Sequence, residues 1–357
     1  MSKVLMKGNE AIAEAAIQAG CRYFFGYPIT PQNEIPAYMA KRLPEENGVF
    51  LQAESEIAAI NMVYGAAGAG ARVMTSSSSP GISLKQEGIS YIVGAELPCV
   101  IVNIVRGGPG LGGIQPAQSD YFQATKSAGH GDSHMVVYAP ATIQEAVTLT
   151  MTAFDVADQY RNPVMILGDG ILGQMMEPVE FLPVKKRDLP EKTWATTGWD
   201  GVSRQRNVIN SLYIKPEELE GKVLQIYDKY AQIAKEEVMH ECYDCDDAEI
   251  IITAYGTTAR IVKNVIERLK KEKGIKAGII RPITLWPFPY AVYEEMSRKA
   301  EVKAFLSVEM SMGQMVEDVR LGVNGKKPVH FTGRTGGMVP TEQQIIDKVI
   351  SILKEES

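Results

Sequence analysis

The chain has 357 residues, 45% hydrophobic and 22% charged, which excludes a largely disordered protein and leaves room for two or three domains. Its net charge of −6 argues against nucleic-acid binding or a polybasic membrane contact. Gly, Pro or charge interrupts every apolar stretch well short of a membrane span. The N-terminus carries no signal-peptide core, so a cytoplasmic location is expected.

In chain order, the hydrophobic periodicity predicts a helix over Gly8–Ala19, a strand over Arg22–Gly26 and a helix over Gln32–Arg42. A strand over Gly48–Gln52, a helix over Ser55–Ala69, and strands over Arg72–Thr75 and Cys99–Val105 follow. Next come a helix over Ile143–Gln159 and a strand over Val164–Leu167. The C-terminal part reads as strands Glu249–Ala254, Ala277–Arg281 and Ala304–Val308 with helices Thr258–Glu272, Tyr290–Arg298 and Glu342–Glu355. Many of the strands are Val- and Ile-rich on both faces, as buried parallel strands are. Strand–helix–strand alternation makes an α/β fold with crossover helices. Between Glu177 and Asp247 the rhythm breaks: this stretch holds Trp194, Trp199, many charges and one long helical pattern, Pro216–Met239. It reads as a crossover, 181–247, between an N-terminal α/β domain, 1–180, and a smaller C-terminal one, 248–357.

Several motifs resolve to ordinary structure. Gly108-Pro109-Gly110-Leu111-Gly112-Gly113 fits a dinucleotide fingerprint formally, but Gln115-Pro116 follows and no helix opens there, so a turning loop is expected. Gly168-Asp169-Gly170 has the form of a diphosphate–Mg²⁺ motif. The next Asn after Asn162 is Asn207, too far to complete it, and a Gly-flanked turn after a buried strand is favoured. Cys242 and Cys245, with His240 nearby, lack a second ligand pair and read as a surface loop. With Cys21 and Cys99 they make four cysteines, too few and wrongly spaced for an iron–sulfur cluster. His130 and His134 flank Asp132 in a Gly-containing loop without a third ligand. The run Thr75-Ser76-Ser77-Ser78-Ser79-Pro80-Gly81 has no nucleophile elbow; it makes either a polar pocket wall or a plain turn.

Other segments suit a carboxylate ligand. Tyr27-Pro28-Ile29-Thr30-Pro31 stiffens the entry to a helix, where a hydroxyl and free N–H groups seat an anion, although a simple N-cap explains it equally. Ala53-Glu54-Ser55-Glu56 opens a helix rich in Ala and Gly, and an acid there also compensates the helix dipole. Arg106 ends an apolar strand, where open α/β sheets face ligands, and offers a bidentate grip on a carboxylate.

Taken together, these last segments resemble the α subunit of the 2-oxoacid:ferredoxin oxidoreductases, most like the branched-chain (2-ketoisovalerate) type. Gln115-Pro116-Ala117-Gln118-Ser119-Asp120, Arg281-Pro282-Ile283-Thr284-Leu285-Trp286-Pro287-Phe288-Pro289 and Gly313-Gln314-Met315 extend the likeness over the whole chain. The resemblance implies a thiamine-diphosphate pyrimidine-binding domain followed by a transketolase C-terminal-like domain. It implies oxidative decarboxylation of a 2-oxoacid to acyl-CoA and CO2, with electrons passed to ferredoxin.

The family's catalytic acid maps to Glu56, with Glu54 as the rival. A carboxylic acid on the aminopyrimidine N1′ favours the imino tautomer that takes the C2 proton. Pro28, Ile29 and Glu56 match cofactor-contacting positions, and Thr30 and Arg106 match substrate-contacting ones. The family places the Mg²⁺–diphosphate site on a β subunit, and iron–sulfur clusters on partner subunits, a γ subunit completing the complex. Thiamine diphosphate is therefore expected to be shared, and coenzyme A and ferredoxin to be met through the complex. The portion that some relatives carry fused at the N-terminus is expected to be a separate polypeptide. Two rival readings remain: the same chemistry on 2-oxoglutarate, pyruvate or an aryl pyruvate, with Lys126 a candidate second cation for a dicarboxylate, and a non-catalytic α/β assembly subunit.

Overall fold

Apolar strands that bury both faces require a parallel sheet covered by helices on each side. The computed structural model, which describes residues 3–126, 129–199, 201 and 206–356, contains two such sheets. Across the seven-stranded sheet run Thr284–Trp286, Val136–Tyr138, Val164–Asp169, Val100–Val105, Val73–Ser77, Tyr23–Gly26 and Val49–Gln52. All neighbours are parallel except Thr284–Trp286, which pairs antiparallel with Val136–Tyr138. The five-stranded sheet runs Val329–Gly333, Ala304–Glu309, Ile250–Thr253, Ala277–Pro282 and His240–Tyr243, the last antiparallel. A two-stranded ribbon joins Val4–Lys7 to Met176–Val179.

Side-chain alternation assigns the strands to two cores. Val100, Val102 and Ile104 pack with the helices Gly8–Gln18, Glu34–Arg42 and Ile143–Tyr160, whereas Ile101 and Val105 pack with Glu56–Gly68 and Pro80–Gly94. The second of these cores continues without a break into the C-terminal part, through Tyr255, Ile280 and Phe305. The helix Pro216–Glu236 lays Ile226, Tyr230 and Ile233 on the first core. The N- and C-terminal parts are therefore stitched in both directions. The strand Thr284–Trp286 crosses to the edge of the N-terminal sheet, and its approach is fixed by Arg281, which pairs with Glu145 at 2.7 Å and with Glu241 at 2.7 Å.

Several elements depart from the sequence reading. The serine run is no turn: the strand extends to Ser77, and a helix over Pro80–Gly94 follows at once. Cys242 lies in the edge strand His240–Tyr243 rather than a loop, and Cys245 behind it is buried and donates to the Ile279 carbonyl at 3.2 Å. A further helix covers Met315–Val323. No helix among the described residues is long and apolar enough to cross a membrane.

The seam between Glu56–Gly68 and Pro80–Gly94 depends on small residues. A Cβ on Gly88 would sit 2.5 Å from Ile60 Cγ2. Gly88→Ala gains up to about 1 kcal/mol of helix propensity but overpacks the seam at a cost of about 1–3 kcal/mol. A net loss is expected, read as a lower urea-unfolding midpoint; a raised midpoint would show that the seam is loose.

Candidate active site

The loops that carry the predicted site residues all leave the carboxyl ends of the parallel strands, where open α/β sheets bind ligands. Thr30 follows Tyr23–Gly26, Glu56 follows Val49–Gln52, the serine run closes Val73–Ser77, Arg106 follows Val100–Val105 and Asp169 ends its own strand.

Thr30 and Arg106 meet directly. Arg106 is 8% exposed and donates Nη1 to the Thr30 carbonyl at 2.9 Å and Nη2 to the Leu111 carbonyl at 3.3 Å. Its buried Nε has no partner. Nη1 and Nη2 each keep a second N–H, so the guanidinium has donors left for a ligand. Thr30 is exposed, accepts from Asn33 Nδ2 at 3.3 Å, and lines a cleft of about 510 Å³ with Glu34, Gln115, Gly170 and Gln174. Pro28 is exposed and Ile29 half-buried in the same loop.

Glu56 stands one strand over. Ser55 caps its helix, accepting from the Ala58 N–H at 3.1 Å, so Glu56 is the first helical residue. Glu54 lies ahead of the cap and is exposed, whereas Glu56 is buried at 7% exposure. The two acids are thus separated by the start of the helix itself. The Glu56 carboxylate rests on Gly81: a Cβ there would lie 2.7 Å from Oε1 and 2.0 Å from Ser77 Oγ.

The serine run joins these pieces. Ser76 donates to Gln32 Oε1 on the Thr30 side, Ser77 lies beside Gly81 and Glu56, and Ser79 is bonded to Arg106. The Ser79 hydroxyl accepts from the Arg106 N–H at 3.1 Å and donates to the Arg106 carbonyl at 3.3 Å, while Asn103 Oδ1 takes the Ser79 N–H at 3.1 Å. These bonds hold Ser79 at φ +30°, a strained conformation of the kind that gathers at functional sites. The Ser77 and Ser78 hydroxyls are buried without partners. Two orphaned hydroxyls, a glycine cradle and a buried carboxylate fit the polar edge of an aminopyrimidine.

The same test fails for a diphosphate-bound Mg²⁺. Asp169 Oδ1 accepts from the Ile171 and Leu172 N–H groups at 2.8 and 3.1 Å, and Oδ2 accepts from Thr257 Oγ1. Both oxygens are engaged as a helix cap and a domain tether, and burial raises the carboxyl's pKa. Among the described residues no cluster of His, Cys, Asp and Glu could hold a metal. His130 packs edge-on against Tyr91, and His134 stacks on Trp286 at 4.8 Å. Lys126, the candidate second cation, pairs with the buried Asp318 at 2.5 Å, beside the Tyr121 and Tyr290 hydroxyls.

Sequence reasoning overlooked Lys85. It is fully buried on the Pro80–Gly94 helix and donates to Thr75 Oγ1 at 3.0 Å. Burial pushes its ammonium down to about 8, against the pull of Glu56. A lysine inside a Ser/Gly stretch looks solvated. The signal available was its spacing between Gly81 and Gly88 on one helix face.

Residues 14–238 match the family model described as pyruvate flavodoxin/ferredoxin oxidoreductase, thiamine diphosphate-binding. Residues 248–345 match pyruvate:ferredoxin oxidoreductase core domain II. The chain is 46% identical to the ketoisovalerate oxidoreductase subunit VorB of Methanothermobacter thermautotrophicus over 100% of both chains. It superposes on a 2-oxoglutarate:ferredoxin oxidoreductase from Magnetococcus marinus, solved with 2-oxoglutarate, coenzyme A and succinyl-CoA bound. There the TM-score is 0.87 at 27% identity, covering 99% of this chain and 65% of that one. A split-gene transketolase shares the fold at TM-score 0.63 and 14% identity. In sequence over its full length and in architecture, this chain belongs to the 2-oxoacid:ferredoxin oxidoreductase family.

Proposed function

We propose that this chain supplies the pyrimidine side of the thiamine site, and the substrate-carboxylate contact, in a multi-subunit oxidoreductase acting on a branched-chain 2-oxoacid. The observation that carries this reading is the buried Glu56 carboxylate on Gly81 beside the unpartnered Ser77 hydroxyl, with the serine run linking it to Arg106 three strand positions along the sheet. Its likeness to the ketoisovalerate oxidoreductase subunit supports the substrate class. The Magnetococcus protein was solved with 2-oxoglutarate, but a second carboxylate wants a second cation, and Lys126 is held by Asp318.

Thiamine diphosphate, when bound, would supply a nucleophilic thiazolium carbon and an electron sink for decarboxylation. Glu56 holds a proton at the pyrimidine N1′, and Pro28 and Ile29 wall the ring. The Arg106 guanidinium and the Thr30 hydroxyl orient the substrate carboxylate. Asp169 is engaged elsewhere, and of the four cysteines only Cys242 and Cys245 lie together, which supports partner subunits as carriers of the Mg²⁺–diphosphate site and the iron–sulfur clusters. Those partners would carry the two electrons to ferredoxin and the acyl group to coenzyme A.

The complex should be purified with its partners and assayed by viologen reduction across 2-oxoacids. A preference for branched-chain substrates is expected, and a preference for 2-oxoglutarate would move the specificity. Arg106→Ala should lose about 2–4 kcal/mol of transition-state binding, a roughly 30- to 700-fold fall in kcat/KM expressed mainly in KM. An unchanged kcat/KM would remove Arg106 from the site. Glu56→Gln should slow C2–H/D exchange of bound thiamine by about 10²–10⁴-fold. Glu54→Gln should leave it near the wild-type rate, and the reverse order would assign the acid to Glu54.

A further inference from the structure

Cys242 and Cys245 stand three residues apart, a spacing that in an extended strand points two side chains to opposite faces. The chain does not stay extended. Cys242 lies in the edge strand His240–Tyr243, directly opposite Ile280. It therefore shares the face that Ile280 turns to the core, where Tyr293 and Met296 of the helix Tyr290–Ser297 pack. Asp244 then takes φ +51°, and its carboxylate reaches Lys270 at 3.0 Å. That left-handed residue turns Cys245 back over the neighbouring strand. Gly278 makes room for it: a Cβ there would fall 2.6 Å from the Asp244 carbonyl oxygen and 2.8 Å from the Cys245 Cα. Cys245 Sγ comes to rest 3.2 Å from the Ile279 carbonyl and 3.5 Å from the Tyr243 carbonyl, in the same core as Ile280. The two thiols end within hydrogen-bond reach of each other, one exposed and one buried.

The carboxylate and thiamine chemistry uses neither thiol, and among the described residues no cluster of His, Cys, Asp and Glu could hold a metal. We propose that Cys242 and Cys245 are a redox-active dithiol, which a small-molecule disulfide oxidises to an intrachain disulfide with Cys242 attacking and Cys245 resolving. Cys242 is open to the reagent, whereas Cys245, at 5% exposure, meets only what Cys242 has already bound. The hydrogen bond between them lowers the Cys242 thiol, with Lys299 helping and burial, Glu295 and Glu241 opposing, and the same bond raises Cys245. The Cys242 thiolate attacks one sulfur of the reagent, forming a mixed disulfide and releasing one thiol. The Cys245 sulfur then attacks Cys242 Sγ, closing the intrachain bond and releasing the second thiol. Two protein thiols are oxidised, the reagent's disulfide is reduced, and its two sulfurs take up the two protons. A lone exposed thiol would instead stop at the mixed disulfide or climb towards sulfinic acid.

The test uses the complex purified with its partner subunits under reducing, oxygen-free conditions and then exposed to oxidised glutathione. Free thiols are alkylated under denaturing conditions, and the peptides of this chain are read by mass spectrometry. The expected product is an unalkylated Cys242–Cys245 pair lacking two hydrogens, restored to two alkylatable thiols by dithiothreitol. Cys21 and Cys99, buried and pushed up to about 12, should stay alkylatable throughout.

Two variants separate the roles. Cys245→Ser should halt at a glutathione adduct on Cys242, and Cys242→Ser should leave Cys245 free. A stable adduct on Cys242 in the wild-type chain would overturn the proposal, as would a bridge between two chains through Cys242. Both thiols still free after treatment would overturn it too. Oxidation of all four cysteines alike would trace the bridge to unfolding and equally remove the dithiol from the native protein.

Discussion

One buried amide holds this molecule's two halves in register. Gln118 Oε1 accepts from the Met310 N–H at 3.0 Å and from Thr258 Oγ1 at 2.8 Å, and its Nε2 donates to the Tyr255 carbonyl at 2.9 Å. Its backbone N–H reaches the Met310 carbonyl at 2.8 Å, and its carbonyl accepts from the Tyr255 hydroxyl at 3.1 Å. At 2% exposure, each of these groups would be left unsatisfied if the halves moved apart. The loop that leaves Arg106 passes through this residue before the helix Tyr121–Thr125 begins. Two neighbours reinforce it. Asp169 ties to Thr257, and the fully buried Glu309 gathers the N–H groups of Gln314, Met315 and Val316 with the hydroxyls of Ser307 and Ser311. Gln314, so placed, returns to the N-terminal half through the Ser119 carbonyl at 2.7 Å.

That rigidity explains how a site made of loops is held within hydrogen-bond tolerance. Arg106 is clamped by two carbonyls and by its own backbone bonds to Ser79. Glu56 is clamped by the start of its helix and by the absence of a Cβ at Gly81. Between them the serine run supplies contacts to both sides and two hydroxyls still unpartnered. Groups of this kind, fixed in place before a ligand arrives, bind and polarise it without reorganising.

Central strands were legible in the sequence because they are apolar on both faces: Val100–Val105 and Val164–Asp169 lie within a residue or two of their predicted bounds. The edge strand Val49–Gln52 was legible too, but the short crossing strand was not. Thr284–Trp286 is three residues long and flanked by prolines, and its hydrogen-bond partner lies in the other half of the chain. The Pro80–Gly94 helix hides behind four serines and contains three glycines, residues that mark turns in isolation, whereas Gly81 and Gly88 serve close helix packing here. Thr30 and Arg106 were found from local chemistry and likeness to a family, and they touch. Lys85 escaped because burial, not composition, gives it meaning.

The central claim is that the acid acting on thiamine is Glu56 of this chain. The most direct measurement is a structure of the chain assembled with its partner subunits and thiamine diphosphate. The account predicts the pyrimidine N1′ within hydrogen-bond reach of the Glu56 carboxyl, roughly 2.6–3.2 Å, with the ring over Gly81. An N1′ paired with Glu54, or with an acid of another subunit, would contradict it.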